Sequence, residues 1–219
     1  MDNLAMDFEA INESIVKYFT GPQYLPELQQ AKKEFFEKAG IIDEESQSYE
    51  PRMAQFLDWY IFSRDLSEFN IPPIELATQR EMVEFPDYDA TMIENMSNAT
   101  HSLFEFIKVK GRDVYIRDLF TKKKVVLKDS GVSIGFNPDE IFDARVIPVE
   151  DNFIFAKGFC FHPPGAKKFI LKEIKKVRHL EKSHHESLMF RLVKMRYKLE
   201  QYKHIKMEFI YTNDQSLKI

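Results

Sequence analysis

The spacing of apolar residues changes once along this chain, near His101, and that change limits the folds available to it more than any other feature. Up to that point large apolar side chains recur at helical intervals, as in Phe8, Ile11, Ile15 and Tyr18 or Phe19. Beyond it, residues 103–162 run in short β-branched and aromatic stretches with brief connections, the pattern of consecutive antiparallel strands. From residue 163 the helical interval returns. A helical region, a sheet and a second helical region in that order predict an α+β protein.

The N-terminal third divides at its own punctuation. "GPQY" at 21–24 stops the first helix, which spans 7–20. A second helix covers 25–39, with Pro26 in its first turn and Gly40 as its stop. The third, 51–63, places Met53, Phe56, Leu57, Tyr60 and Ile61 on one face, with Trp59 flanking that stripe. Trp59 is the single tryptophan of the chain, and a helical core role is expected for it. Arg64 and Asp65 are expected to cap or pair at the end of this helix. Pro73 suits a helix start, and a further helix begins near Ala90.

Five strands are expected at 103–110, 113–120, 123–129, 140–150 and 152–162, forming a five-stranded antiparallel meander or small barrel. Within the second, Val114, Ile116 and Asp118 share one side. Helices follow at 163–180 and 186–206. The latter carries Leu188, Leu192, Met195, Leu199 and Tyr202 at alternating spacings of four and three, a stripe that packs on the body or on another copy. The expected regions are therefore an acidic helical 1–100, a β unit 101–162 and a basic helical 163–219, together forming one compact unit.

Charge follows the same division. Residues 1–100 hold 20 Asp+Glu against 7 Lys+Arg, and residues 101–219 hold 15 against 24. This asymmetry points to polyanion contact by the basic half or to mutual attraction between the halves. Residues 165–206 concentrate it, with 13 Lys+Arg against 4 Glu, and both "AKKFILKEIKKVR" and "FRLVKMRYKLEQYKHIK" mix basic and apolar residues. The candidate contact residues for a partner or polyanion are Lys108, Lys110, Arg117, Lys194, Arg196, Lys198, Lys203 and Lys206.

No motif in the chain carries a recognisable reaction. There is no nucleophile elbow, Walker loop or H-E-x-x-H. The one cysteine, Cys160, lies between Phe159 and Phe161 and is expected to be a buried, inert thiol. It also leaves no disulfide and no multi-cysteine zinc site. His179, His184 and His185 are spaced by five and one, not by the four of a helical zinc pair, and suit a solvated basic turn. "DYD" at 87–89 opens like a calcium loop but has Met92 and Asn98 where Gly and Glu are needed. "KDSGVSIG" at 128–135 approaches a cyclic-dinucleotide motif, D-x-S-x-x-G after R-x-x-x-R, yet Ser130 follows Asp129 directly and Arg112 and Arg117 are five apart. No metal, cofactor or catalytic residue is expected. The N-terminus lacks a signal-peptide pattern and no run spans a membrane, so the expected compartment is the cytoplasm.

Several stretches taken together resemble an uncharacterised bacterial family often found beside or fused to SEC-C zinc motifs. The matching positions are Trp59, Ser102 to Glu105, Arg117 to Thr121, Asp139 to Pro148, and Pro163 with Pro164, within about residues 53–170. Two glycines of the family pattern are absent: Lys122 stands at the hairpin glycine, and "NPDE" replaces the expected "PGD". The SEC-C zinc motif is also absent, so no metal or secretion-chaperone role carries over. The resemblance implies the fold rather than an activity. The expectation is a non-enzymatic cytoplasmic interaction or scaffold protein with a protein partner, and a homo-oligomer through the C-terminal helix. The alternative is a nucleic-acid-binding protein using the small sheet and the basic helices. A small-ligand sensor of the cyclic-dinucleotide kind is the third. Aromatics of 103–120 and 152–162 facing outward beside Lys108, Lys110 and Arg117 would favour nucleic acid; inward-facing ones favour a scaffold.

Overall fold

The computed structural model describes residues 2–41, 44–79, 90–130 and 137–214, with side chains from Phe8 onward. The "DYD" segment and most of the 130–139 connection lie outside the described residues. The chain is α+β, with helices before and after a five-stranded, antiparallel, curled half-barrel sheet. The helices are α1 (Asp2–Phe19), α2 (Leu25–Ala39), α3 (Tyr49–Phe62), α4 (Pro73–Thr78), α5 (Ala90–Ser97), α6 (Lys167–Val177), α7 (Lys182–Gln201) and α8 (Met207–Ile210). The strands are β1 (Thr100–Lys110), β2 (Asp113–Asp118), β3 (Lys124–Leu127), β4 (Ile141–Val149), β5 (Asn152–Phe155) and the short β6 (Cys160–Phe161). The sheet order is β3-β2-β1-β4-β5, and β6 also pairs with β4.

Two compact units share the chain. The first holds residues 1–35, 43–100 and 145–158; the second holds 36–42, 101–144 and 159–219. In the first, α3 is central. Its buried residues are Arg52, Gln55, Phe56, Trp59, Tyr60 and Ile61. Trp59 therefore lies within the buried face rather than beside it, and Met53 and Leu57 are only half-buried. The stripe is rotated from the one expected because polar Arg52 and Gln55 belong to it, and no apolar count reveals them. Phe35 packs on both Phe56 and Trp59, each at 5.6 Å between ring centroids. The Tyr60 hydroxyl donates to the Phe19 carbonyl at 2.9 Å, which satisfies a phenol buried in the core. Arg64 does pair: its guanidinium bonds Glu27 and Glu34, the latter at 2.8 Å, and Glu27 also accepts from Ser67.

The strand expected over 152–162 is interrupted. β5 pairs Val146 with Phe155, whereas β6 pairs Asp143 with Cys160, so the intervening chain is longer than its partner by two residues. Gly158 explains part of this. Its N–H donates to Asp58 Oδ2 at 2.7 Å, and a Cβ there would stand 3.0 Å from the Gln55 Cα, so the chain leaves the ladder to lie against α3.

In the second unit, Leu103, Ile141, Ile170, Ile174, Leu188 and Leu192 form the heart of one hydrophobic core. Leu188, Leu192 and Met195 of the α7 stripe are buried within this unit. α7 begins four residues before the expected start and ends at Gln201, which leaves Tyr202 beyond the helix and exposed. α8 was not expected; four residues are too few to show a period. Asp118 is buried beside Val114 and Ile116, as the alternation requires, and its Oδ1 accepts from Ser102 Oγ (2.9 Å), Phe120 N–H (2.8 Å) and Thr121 N–H (3.1 Å). One carboxylate thus ties β1 to the β2–β3 turn. The position where the resembled pattern carries its hairpin glycine has left-handed backbone here, Lys122 at φ 64°.

Candidate partner-contact surface

The eight candidate cations all belong to the second unit, but the fold uses several of them internally. Arg117 bonds Glu105 at 3.2 Å, and Glu105 also pairs with Lys167 at 2.9 Å. Arg196 donates its Nε to the Phe161 carbonyl at 2.8 Å and pairs with Glu200. The Lys194 ammonium donates to the Glu37 carbonyl at 3.4 Å. Lys108 lies over the Tyr115 ring at 5.1 Å. Lys110, Lys203 and Lys206 are exposed, and Lys198 is half-buried. These residues do not form one patch. Lys194 and Arg196, two apart on α7, point about 200° apart around its axis.

No aromatic residue of the described strands is fully exposed. Phe104, Phe106, Phe120 and Phe155 are buried, and Tyr115, Phe153, Phe159 and Phe161 are half-buried. Phe142 packs on Phe104 and Phe161 at 5.9 and 5.5 Å. No sheet aromatic is left as an open platform for stacking a base.

A surface that the candidate set omitted is carried by α6. Ile170, Glu173 and Ile174 are buried. The opposite side exposes Lys168, Lys172 and Lys175, at i, i+4 and i+7. That interval was available in "KKFILKEIKK", as a lysine stripe facing away from an isoleucine pair. Glu173 belongs to the interior instead. It accepts from Lys176 at 2.5 Å, Arg191 at 2.6 Å and Asn213 at 2.9 Å. Burial alone would raise this carboxyl, but the three donors outweigh burial and hold it below the usual carboxylate range.

The histidines are not a uniform solvated turn. His185 stacks on Phe120 at 4.1 Å, and its Nε2 lies 3.0 Å from the Val177 carbonyl. His179 accepts from Arg178, and His184 is exposed. Elsewhere in this unit His101 Nε2 meets Asp143 Oδ1 at 2.6 Å. His162 is buried, with Nδ1 3.1 Å from the Tyr211 hydroxyl and Nε2 without a partner among the described residues. Burial lowers this imidazole to about 4, against a raising effect of Asp143 and aided by Arg196. Cys160 is buried. Among the described residues no three or more His, Cys, Asp or Glu side chains converge as a metal site would need, and no helix is long and apolar enough to cross a membrane.

No curated protein and no solved structure matches the chain. Residues 6–210 match the sequence profile of DUF7986, a family of unknown function; that match runs through both compact units, and the chain belongs to this family.

Proposed function

We propose that the protein is a non-enzymatic interaction protein of the bacterial cytoplasm, with its sheet as scaffold, its charged helices as contact surface and another protein as partner. The full or partial burial of the sheet aromatics carries this reading. A single-strand binder needs exposed rings beside its cations, and Tyr115, half-buried under Lys108, is no such cluster. The likeness of residues 53–170 to SEC-C-associated proteins bears on the fold alone and adds no chemistry, because the zinc-binding cysteines are absent. Nucleic acid is the second reading, favoured by the excess of Lys+Arg over Asp+Glu in the second unit, 23 against 14.

Affinity capture from a native lysate, with and without nuclease, separates the two. The expected result is a protein partner recovered in equal amount after nuclease and released by moderate salt. Recovery abolished by nuclease would replace this reading with the nucleic-acid one.

A further inference from the structure

We propose that the outward face of α6 docks an acidic helical segment of a partner protein, gripped by Lys168, Lys172 and Lys175. This names the surface and partner chemistry of the interaction reading and rests on it. Ile170 and Ile174 are sunk in the core, so the orientation of α6 is fixed and its lysine ridge faces out. The three ammonium groups form no ion pair among the described residues. Nothing on α6 can neutralise them, because its one acid, Glu173, is on the buried side and already holds three donors.

The arrangement works against the helix that carries it. Lys168 and Lys172 are like charges at i, i+4, and Lys172 and Lys175 at i, i+3; each pair weakens a helix. Lys168 also sits in the first turn, at the positive end of the helix dipole, where an acid would be favourable. Lys167, beside it, is offset by Glu105 and Asp139, whereas Lys168 is not. An anionic partner relieves all of this at once.

The ridge suits a protein segment better than nucleic acid. Its three lysines climb about 10 Å along the axis, and carboxylates at i, i+4 and i+7 of a facing helix rise by the same steps. The ridge holds no arginine fork for phosphate; Arg178, at its end, is engaged with His179. α6 itself carries no exposed aromatic, and Leu180, 48% exposed, adds aliphatic surface beyond its C-terminal end. The apolar side of α6 is already buried, so it has nothing to insert into a membrane.

The test uses the full chain and a fluorescent, alanine-rich helical peptide with Glu at i, i+4 and i+7, followed by anisotropy at low salt. Lys168→Glu/Lys172→Glu/Lys175→Glu should weaken peptide binding by more than about tenfold, while Lys33→Glu/Lys123→Glu/Lys124→Glu, with the same change in net charge, costs less than about twofold. The three Lys→Gln changes should give an intermediate loss, and they serve as the readout if the charge reversal fails to fold. Absence of peptide binding, or equal loss in both reversals, would overturn the proposal. So would a DNA oligonucleotide that binds more tightly than the peptide and is lost with the ridge. If the ridge-reversed protein still captures the nuclease-resistant partner, the interaction reading stands and the ridge assignment fails. If capture by the unaltered protein depends on nucleic acid, the interaction reading itself fails.

Discussion

Lys122 occupies a left-handed turn that L side chains adopt at a cost of about 1–2 kcal/mol and glycine adopts freely. Lys122→Gly should therefore stabilise the protein by about 0.5–1 kcal/mol after the added freedom of the unfolded chain is subtracted, measured by urea unfolding. Trp59 is the opposite case. It is 5% exposed against Phe35, so Trp59→Ala should cost about 3–5 kcal/mol. A melting temperature within a degree or so of the unaltered protein would show that the ring is not part of the core. His162 sets a pH dependence. Its folded value, about 4, lies below the ordinary 6.5, so the unfolded chain binds the proton more readily between the two. The stability from this group is complete above about pH 6.5 and is lost as pH falls through 4, amounting to about 3 kcal/mol. Urea unfolding at stepped pH should show this slope, and His162→Phe should flatten it relative to the unaltered chain.

At the scale of elements, α2, α4, α5 and β1 to β4 were legible because each is long enough, or bounded clearly enough by Pro or Gly, for its apolar interval to show. The failures have local causes. The 152–162 strand looked continuous because "NFIFAKGFCFH" is rich in aromatic residues from end to end, while the approach of Gly158 to α3 depends on a residue 100 positions away. The α3 stripe was misplaced because buried Arg52 and Gln55 count as polar in any window. The α6 ridge was legible in its spacing, but which of its lysines lack an acidic partner was not. Pairing is often a tertiary property: the β1–β2 register brings Glu105 to Arg117, and Lys172 meets no acid among the described residues. α7 yields a further prediction. Ending the chain after His185 removes Leu188, Leu192 and Met195 from the core, each worth about 1.5–3 kcal/mol of burial, and should leave the second unit unfolded by circular dichroism. Ending it after Gln201 keeps α7 but removes Tyr211 and Asn213, the partners of His162 and Glu173, and should lower the melting temperature while preserving helix content.

For the whole molecule, the distribution of charge is sharper than the linear sequence suggests: the first unit has 21 Asp+Glu against 8 Lys+Arg, and the second 14 against 23. The backbone passes between the units five times, and β4 contributes Ile141–Ala144 to one and Arg145–Val149 to the other. Denaturation followed by Trp59 fluorescence, which reports the first unit, should therefore coincide with denaturation followed by far-ultraviolet circular dichroism, which reports both. Separate midpoints would show the units to be independent. The shared strand also bears on inheritance. A domain joined to its neighbour by one linker can be duplicated, lost or moved to another gene by a single recombination event. Here no contiguous stretch of coding sequence specifies either unit, so a crossover within the gene would deliver half a strand and fragments of two cores. Point substitutions and changes in surface loops leave both cores whole, so the acidic and basic units are inherited as one piece.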